Sequence, residues 1–212
     1  MTKRKFSFYL GAFMKKHNFL PSVLGVLLAA CAVSAHADPI GLDVSVGLVN
    51  IRPDIKSPVV GADATNEVVP IANFTYYLSE HFALNTAAGI TRHEFSNAGG
   101  ILGKASMAPF HLMAQYHFMP KADFRPYVGV GIHHTVFFKQ SGPAFNGLED
   151  FKADTGAVLQ AGFSYTLNKA YFVNFDVKKF YLETNVTPQG GAKIETITLN
   201  PWLIGLAVGK QF

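Results

Sequence analysis

Alternation of apolar and polar residues with a period of two is the feature that most constrains how this chain can fold. The alternation is clearest between residues 108 and 138. Successive side chains of a β-strand point to opposite faces, so the pattern predicts two strands that each have one apolar face. The break at residues 119–123 predicts a short turn, and hence a hairpin. The apolar positions of the two strands are Phe110, Leu112, Tyr116, Phe118, Val128, Val130 and Ile132.

The same alternation recurs from residue 40 to the end of the chain and gives about eight strands of ten or more residues. The connections between the strands alternate in length. Short connections are predicted at 79–81, 119–124 and 168–169, and long ones at 52–66, 96–106, 139–154 and 185–193. Outer-membrane barrels have an even number of strands, short periplasmic turns and long extracellular loops. The sequence therefore predicts an all-β fold, an eight-stranded antiparallel transmembrane β-barrel.

A soluble antiparallel barrel or sandwich is the alternative, with the apolar faces forming its core. Strands of such proteins average about five or six residues, shorter than those predicted here. The charged fraction of the chain is also low, 15%, where about 25% is usual for a soluble domain. The polar rows consist mostly of Gly, Ser, Thr, Asn, Gln and His, which suits a narrow lumen better than open water. We therefore predict that the apolar faces contact lipid.

Residues 1–37 resemble a secretory signal peptide, with basic residues first, then an apolar run, then an Ala-x-Ala site. Cleavage is expected between Ala37 and Asp38, which leaves residues 38–212 as the barrel. The basic region is long, and a start at Met14 would give a signal peptide of ordinary length. Cys31 lies in a sequence similar to a lipoprotein box, so a lipidated N-terminus is an alternative.

The net charge of the mature chain argues against binding to nucleic acid. The full sequence carries a formal charge of +4, but five of its 18 basic residues precede Asp38. The mature chain then has 13 basic and 14 acidic residues. The basic surface that a nucleic-acid-binding protein needs is absent from such a composition.

Several blocks of the sequence resemble the outer membrane protein W (OmpW) family. The blocks are residues 109–110, 115–118, 124–131 and 135–138 in the centre, and 199–202 and 209–212 at the end. The resemblance implies a barrel in the outer membrane of a Gram-negative bacterium that gives small hydrophobic molecules passage. His133-His134 replaces an Asn-aromatic pair that is more usual in the family. Thr155 stands where the family often has Trp, so a Trp gate is not implied here.

An eight-stranded barrel has an interior only just wide enough for its own side chains. The predicted lumen residues near the short turns are polar and should form a hydrogen-bonded plug, because buried polar groups need partners. The plug residues are Asp43, Gln115, His117, Asn174, Asp176 and Lys178. The predicted ligand-lining residues lie nearer the long loops and are Ile71, His111, Met113, His133, Val158, Phe180 and Leu203. These two sets predict a funnel that is open to the outside and closed below, and the family resemblance adds a sideways exit into the bilayer.

Other functions remain open at this stage. A structural or adhesive barrel would act through its extracellular loops. A lipid A-modifying enzyme is suggested weakly by His133-His134-Thr135, but no serine or evident acidic partner accompanies it, and we expect no enzymatic activity. The spacing of the histidines matches no metal-ligand motif, so no metal or cofactor is expected. The expected partners are outer-membrane lipid, lipopolysaccharide and small hydrophobic solutes, with no nucleic acid.

Overall fold

A computed structural model describes residues 41–168 and 170–212. The expected signal peptide, its cleavage site at Ala37 and Asp38, the start at Met14 and Cys31 all lie outside the described residues. No helix in the described ranges is long and apolar enough to cross a membrane. A short 3-10 helix is present at Phe145–Gly147. The strands are β1 Gly41–Arg52, β2 Asp63–Ala64, β3 Glu67–Tyr77, β4 Phe82–Ala88, β5 Thr91–Asn97, β6 Gly100–His117, β7 Phe124–Ser141, β8 Asp154–Thr166, β9 Tyr171–Phe180, β10 Glu183–Val186, β11 Glu195–Thr198 and β12 Trp202–Gln211.

The strands close into a barrel of eight antiparallel positions. β4 and β5 together occupy one of these eight positions. Both pair with β6 in one continuous register: Ala87 of β4 is opposite His111, and Thr91 of β5 is opposite Met107. The first and last strands pair with each other along ten residues, from Asp43–Gln211 to Arg52–Trp202. The remaining neighbours are β1–β3, β3–β4, β6–β7, β7–β8, β8–β9 and β9–β12. The predicted fold class is confirmed.

The two faces of each strand have opposite environments. On β1, Asp43 and Val49 are buried, whereas Val46 and Leu48 are 65% and 56% exposed. In the hairpin of β6 and β7, Tyr116, Phe118, Val128, Val130 and Ile132 are exposed, and Phe110 and Leu112 are half-buried. Large apolar side chains in this exposed position surround the barrel, where a soluble protein would present mostly polar groups. The apolar belt is the surface that contacts lipid.

One predicted loop is wrong. Residues 96–106 form the end of a hairpin: β5 runs to Asn97, which pairs with Gly100 across a two-residue turn. Here the outward side chains no longer face lipid, and Glu94 and Lys104 form an ion pair of 3.0 Å on the outside. The inward positions are small, such as Ala105. The apolar alternation therefore disappears from the sequence although the strands continue, because the hairpin projects beyond the membrane.

Two glycines on the lumen face of β1 test how tightly the closing strand pair is packed. A Cβ on Gly47 would lie 2.6 Å from the Cβ of Ala207, whereas a Cβ on Gly41 would meet the carbonyl oxygen of Phe212 at an ordinary 3.4 Å. Gly47→Ala should therefore cost about 1–3 kcal/mol or more through overpacking, and Gly41→Ala should be tolerated. The folded fraction in unheated gel electrophoresis and the thermal midpoint are the measurements. Equal behaviour of the two variants would contradict this packing.

Candidate functional site

A chain of hydrogen-bonded side chains crosses the lumen near the periplasmic turns. The amide of Gln115 on β6 donates to Gln160 on β8 (2.8 Å), and Gln160 donates to Asp176 on β9 (2.7 Å). His117 extends the chain at one end through Gln115 (3.3 Å), and Lys178 ends it in an ion pair with Asp176. All five residues are buried. The chain joins β6, β8 and β9, so hydrogen-bonded polar groups occupy the lumen at this level.

A second set of polar side chains lies beside this chain and includes two tyrosines, Tyr77 and Tyr127. The Tyr77 hydroxyl donates to Asp43 (3.0 Å), and the Tyr127 hydroxyl donates to Asn174 (2.9 Å). The ring of His117 lies between the two tyrosines, with centroids 5.1 and 5.0 Å away. We call the two groups together the polar plug: Asp43, Tyr77, Gln115, His117, Arg125, Tyr127, Gln160, Ser164, Asn174, Asp176 and Lys178. It contains all six predicted plug residues.

Five plug residues were missing from the predicted plug set: Tyr77, Arg125, Tyr127, Gln160 and Ser164. Each occupies a lumen position of its strand, so strand alternation alone could have found them. The two tyrosine rings fill the lumen, and their hydroxyls donate hydrogen bonds to Asp43 and Asn174.

An apolar layer lies directly above the plug. Val49, Ile51, Met113, Val158, Phe180 and Leu203 form one buried cluster, against which Val69 and Ile71 pack. Met113 and Val158 are fully buried. This apolar layer brings together five of the predicted ligand-lining residues: Ile71, Met113, Val158, Phe180 and Leu203. It is packed solid at its centre, so only its upper surface faces open space.

The two other predicted ligand-lining residues, His111 and His133, lie against the apolar layer and contact the ring of Phe180 at 5.9 and 5.0 Å. His133 reaches across β8 to the backbone carbonyl of Tyr181 (2.7 Å). Gly156 leaves the room for this bond, since a Cβ there would lie 2.7 Å from the His133 ring. His133 therefore links β7 to the residue after β9.

The departures from the family pattern at positions 134 and 155 are neighbours in the barrel. His134 on β7 and Thr155 on β8 are a registered pair, and the His134 ring is 2.7 Å from the Thr155 hydroxyl. The hydrogen bond therefore joins β7 and β8 at this pair.

Two apolar cavities lie above the apolar layer. The inner chamber is lined by Ile51, His93, Pro109, Phe180, Leu199 and Leu203, among others. The outer chamber lies among the extracellular segments and is lined by Phe95, Leu102, Phe145, Phe151, Ile197 and Leu199, among others. Phe95 and Leu199 line both chambers. The two cavities are therefore adjacent, and these two side chains separate them.

The wall of the barrel is interrupted beside the inner chamber. The β4–β6 ladder ends at Ala87–His111, and the β5–β6 ladder resumes at Thr91–Met107. Gly89 and Ile90 lie in between, outside any strand. Opposite them on β6 is Pro109, which has no N–H to donate. We call residues 88–90 and 108–110 the wall interruption.

The interruption extends to the other neighbouring strand. The β3–β4 ladder ends at Ala72–Ala88. Backbone contact resumes only at Thr65, whose N–H donates to the Glu94 carbonyl at 3.0 Å. The His93 ring spans part of this gap through the Thr65 carbonyl (2.8 Å). Side chains, more than a continuous ladder, hold the wall together at this level.

Charged groups outside the membrane-spanning segments hold the loops in place. Asp54 accepts a hydrogen bond from Lys179 (2.9 Å), and this bond holds the pKa of the Asp54 carboxyl below its ordinary value. The Asp54 N–H also donates to the Leu199 carbonyl (2.9 Å). Together these bonds fix the loop after β1 beside Leu199. No cluster of three or more His, Cys, Asp or Glu suited to a metal ion occurs among residues 41–168 and 170–212.

A closed eight-stranded barrel with an apolar belt, a filled lumen and cavities among its outer segments is an outer-membrane β-barrel. The family comparison agrees: the sequence model of the OmpW family matches residues 32–212. The chain belongs to the OmpW family. Its location is the outer membrane of a Gram-negative bacterium, and the predicted family and location are confirmed.

Three relatives illustrate the similarity. An outer-membrane protein of Sinorhizobium fredii, y4mB, is 36% identical over 169 residues, which cover 73% of this chain and 71% of that protein. The dibenzothiophene metabolism operon protein DoxH of a Pseudomonas species is 27% identical over 186 residues, 79% of this chain and 86% of that one. The solution structure of Escherichia coli outer membrane protein W matches with a TM-score of 0.62 at 28% identity, covering 84% of this chain and all of that one.

The Asp176–Lys178 pair should be important for stability, because removing one partner leaves a buried charge uncompensated. Asp176→Asn is expected to lower the free energy of unfolding by about 3–5 kcal/mol. The double variant Asp176→Asn/Lys178→Met should recover part of this loss. Urea unfolding of the refolded barrel provides the measurement.

A matched control is the exposed pair Glu80–Lys121, which joins two neighbouring periplasmic turns and whose side chains are 50% and 79% exposed. Glu80→Gln should leave the unfolding midpoint unchanged, since exposed pairs contribute little. A loss for Asp176→Asn no greater than that for Glu80→Gln would contradict the structural role of the buried pair.

Proposed function

We propose that this barrel gives small hydrophobic molecules passage across the outer membrane. The observation that carries the proposal is the pair of adjoining apolar chambers, which lie above a closed polar plug. A solute would enter the outer chamber from the extracellular side and pass Phe95 and Leu199 into the inner chamber. Burial of apolar surface stabilises the bound solute by about 25 cal/mol per Å². The solute would thereby cross the polar surface of the lipopolysaccharide layer without dissolving in it.

The plug makes a direct route to the periplasm unfavourable for such a solute. Below the apolar layer, the solute would have to separate Gln115, Gln160 and Asp176, whose side chains hydrogen-bond one another. Breaking buried hydrogen bonds without replacing them costs about 1–3 kcal/mol for each group left unpaired. An apolar molecule offers no replacement. A sideways route into the bilayer avoids this cost.

The wall interruption is the proposed lateral exit. Thr91 and Pro109, on its two sides, also line the inner chamber. A ladder that is already broken requires fewer backbone hydrogen bonds to be lost when the wall opens, and each such loss is costly in lipid. Gly89 adds little side-chain bulk, and Ile90 on the outer face is 63% exposed toward the membrane. The solute would leave between Gly89 and Pro109 into the hydrocarbon.

The lining of the inner chamber and the name of one relative both support small hydrophobic molecules as the solutes. The inner chamber is lined almost wholly by apolar side chains and prolines, with Thr91, His93 and Thr135 as the polar exceptions. One relative is named for dibenzothiophene metabolism, the metabolism of an aromatic hydrophobic molecule. The proposed partners are therefore small hydrophobic solutes, together with the lipid and lipopolysaccharide around the belt. The proposed route includes no catalytic step.

Leu203 tests the chamber itself, because it lies at the upper surface of the apolar layer and lines the inner chamber. Leu203→Lys should reduce uptake of naphthalene by cells at least several-fold, since it places a charge in the apolar path. Leu203→Met preserves volume and polarity and should take up naphthalene at the wild-type rate. Both variants should still show the folded band in unheated gels. Normal uptake by a folded Leu203→Lys barrel would reject the route.

Pro109 tests the lateral exit separately. Pro109→Val supplies the missing N–H and a β-favouring side chain, so the pair with Gly89 can close; we expect stronger protection of the Gly89 amide from hydrogen exchange and slower naphthalene uptake. Pro126→Val is the matched control, because Pro126 lies on β7 opposite Phe163, near the periplasmic turn. The control should change neither quantity. Increased protection at Gly89 with unchanged uptake would show that the solute leaves elsewhere.

A further inference from the structure

The outer chamber contains one buried hydroxyl that has no partner. Thr184 on β10 is 6% exposed and faces the chamber beside its registered partner Ile197. Its Oγ1 makes no hydrogen bond within the described part of the chain. Buried hydroxyls are ordinarily hydrogen-bonded, and each exception calls for an explanation.

The remainder of the chamber lining is apolar. Among the described residues that line it, Thr184 is the one with a polar side chain. No charged side chain lines the chamber, so a carboxylate or an ammonium group would be buried there without a counterion. The chamber therefore favours a neutral molecule that has a single polar group.

Three phenylalanines set the shape of that molecule. Phe145 and Phe151 meet edge to face with centroids 5.2 Å apart. Phe95 lies edge to face with both, at 6.0 and 6.4 Å. Aromatic rings favour this geometry with a further ring, by about 0.5–1.5 kcal/mol beyond the area buried. A flat aromatic solute matches the chamber better than a linear alkane does.

We propose that the outer chamber recognises neutral aromatic solutes that carry one hydrogen-bonding group, such as a phenol, and that Thr184 is the specificity-determining residue. The inference rests on the proposed function, for which the outer chamber is the entry step. The solute's polar atom pairs with Thr184 Oγ1 while its ring packs against Phe95, Phe145 and Phe151. A purely apolar solute of the same size leaves the hydroxyl unpaired.

The test compares 2-naphthol with naphthalene, which differ by one hydroxyl. Dissociation constants are measured on the full barrel in lipid nanodiscs, from the fluorescence of each ligand and with empty nanodiscs as the blank. The wild-type protein should bind 2-naphthol about two- to tenfold more tightly than naphthalene, the ratio that one net hydrogen bond supplies. Thr184→Val keeps the shape and removes the hydroxyl, so it should abolish that ratio. Thr184→Ser keeps the hydroxyl and should preserve it.

Two results would overturn the inference. The first is a Thr184→Val protein that retains the wild-type ratio, which would mean that water or another group satisfies the hydroxyl. The second is equal binding of the two ligands by the wild-type protein. Binding in nanodiscs requires no passage through the wall, so it is independent of uptake. A Thr184-dependent ratio together with naphthalene uptake that does not depend on the barrel would reject the transport proposal and leave this binding site in place.

Discussion

Backbone hydrogen bonding in a medium without water is the constraint on which the rest of this structure depends. Each N–H and C=O in the hydrocarbon region needs a partner within the protein, because lipid offers none. The pairing of β1 with β12 satisfies this requirement by leaving no free edge. Against that background the wall interruption at Gly89 and Pro109 is significant. A barrel can keep such a break only where side chains such as His93 fill the gap.

Closure of the barrel in turn determines what its interior contains. Eight strands leave a lumen that side chains must fill. Polar side chains fill one half of its depth and apolar side chains fill the other. The lower half is filled by polar groups, most of which hydrogen-bond one another, including the buried pair of Asp176 and Lys178. The upper half is filled by apolar side chains centred on Met113 and Val158. The boundary between them lies where Lys178 meets the apolar layer, so a solute of either polarity finds one half unfavourable.

The alternation of residues in the sequence predicted the barrel, its lipid-facing belt and the depth order of the lumen. It assigns Asp176 and Leu203 to the lumen side, where both are buried, because a strand turns alternate side chains to fixed faces. It failed at residues 96–106, where the hairpin leaves the membrane and its outward positions carry Glu94 and Lys104. It could not find the wall interruption, because missing ladder bonds depend on the register of three strands. It could have found Tyr77 in the plug, because Tyr77 occupies a lumen position of β3.

The two chambers, the plug and the wall interruption follow from one another in the proposed route. Because the plug hydrogen bonds join β6, β8 and β9 across the lumen, opening the base would disturb three strands together. Opening the wall at Gly89 disturbs one segment that is already outside the ladders. The smaller disturbance lies directly beside the inner chamber, through Thr91 and Pro109. In the proposed route, the solute therefore leaves sideways through the wall interruption, where few backbone hydrogen bonds have to break. The hydrogen bonds of the polar plug stay intact.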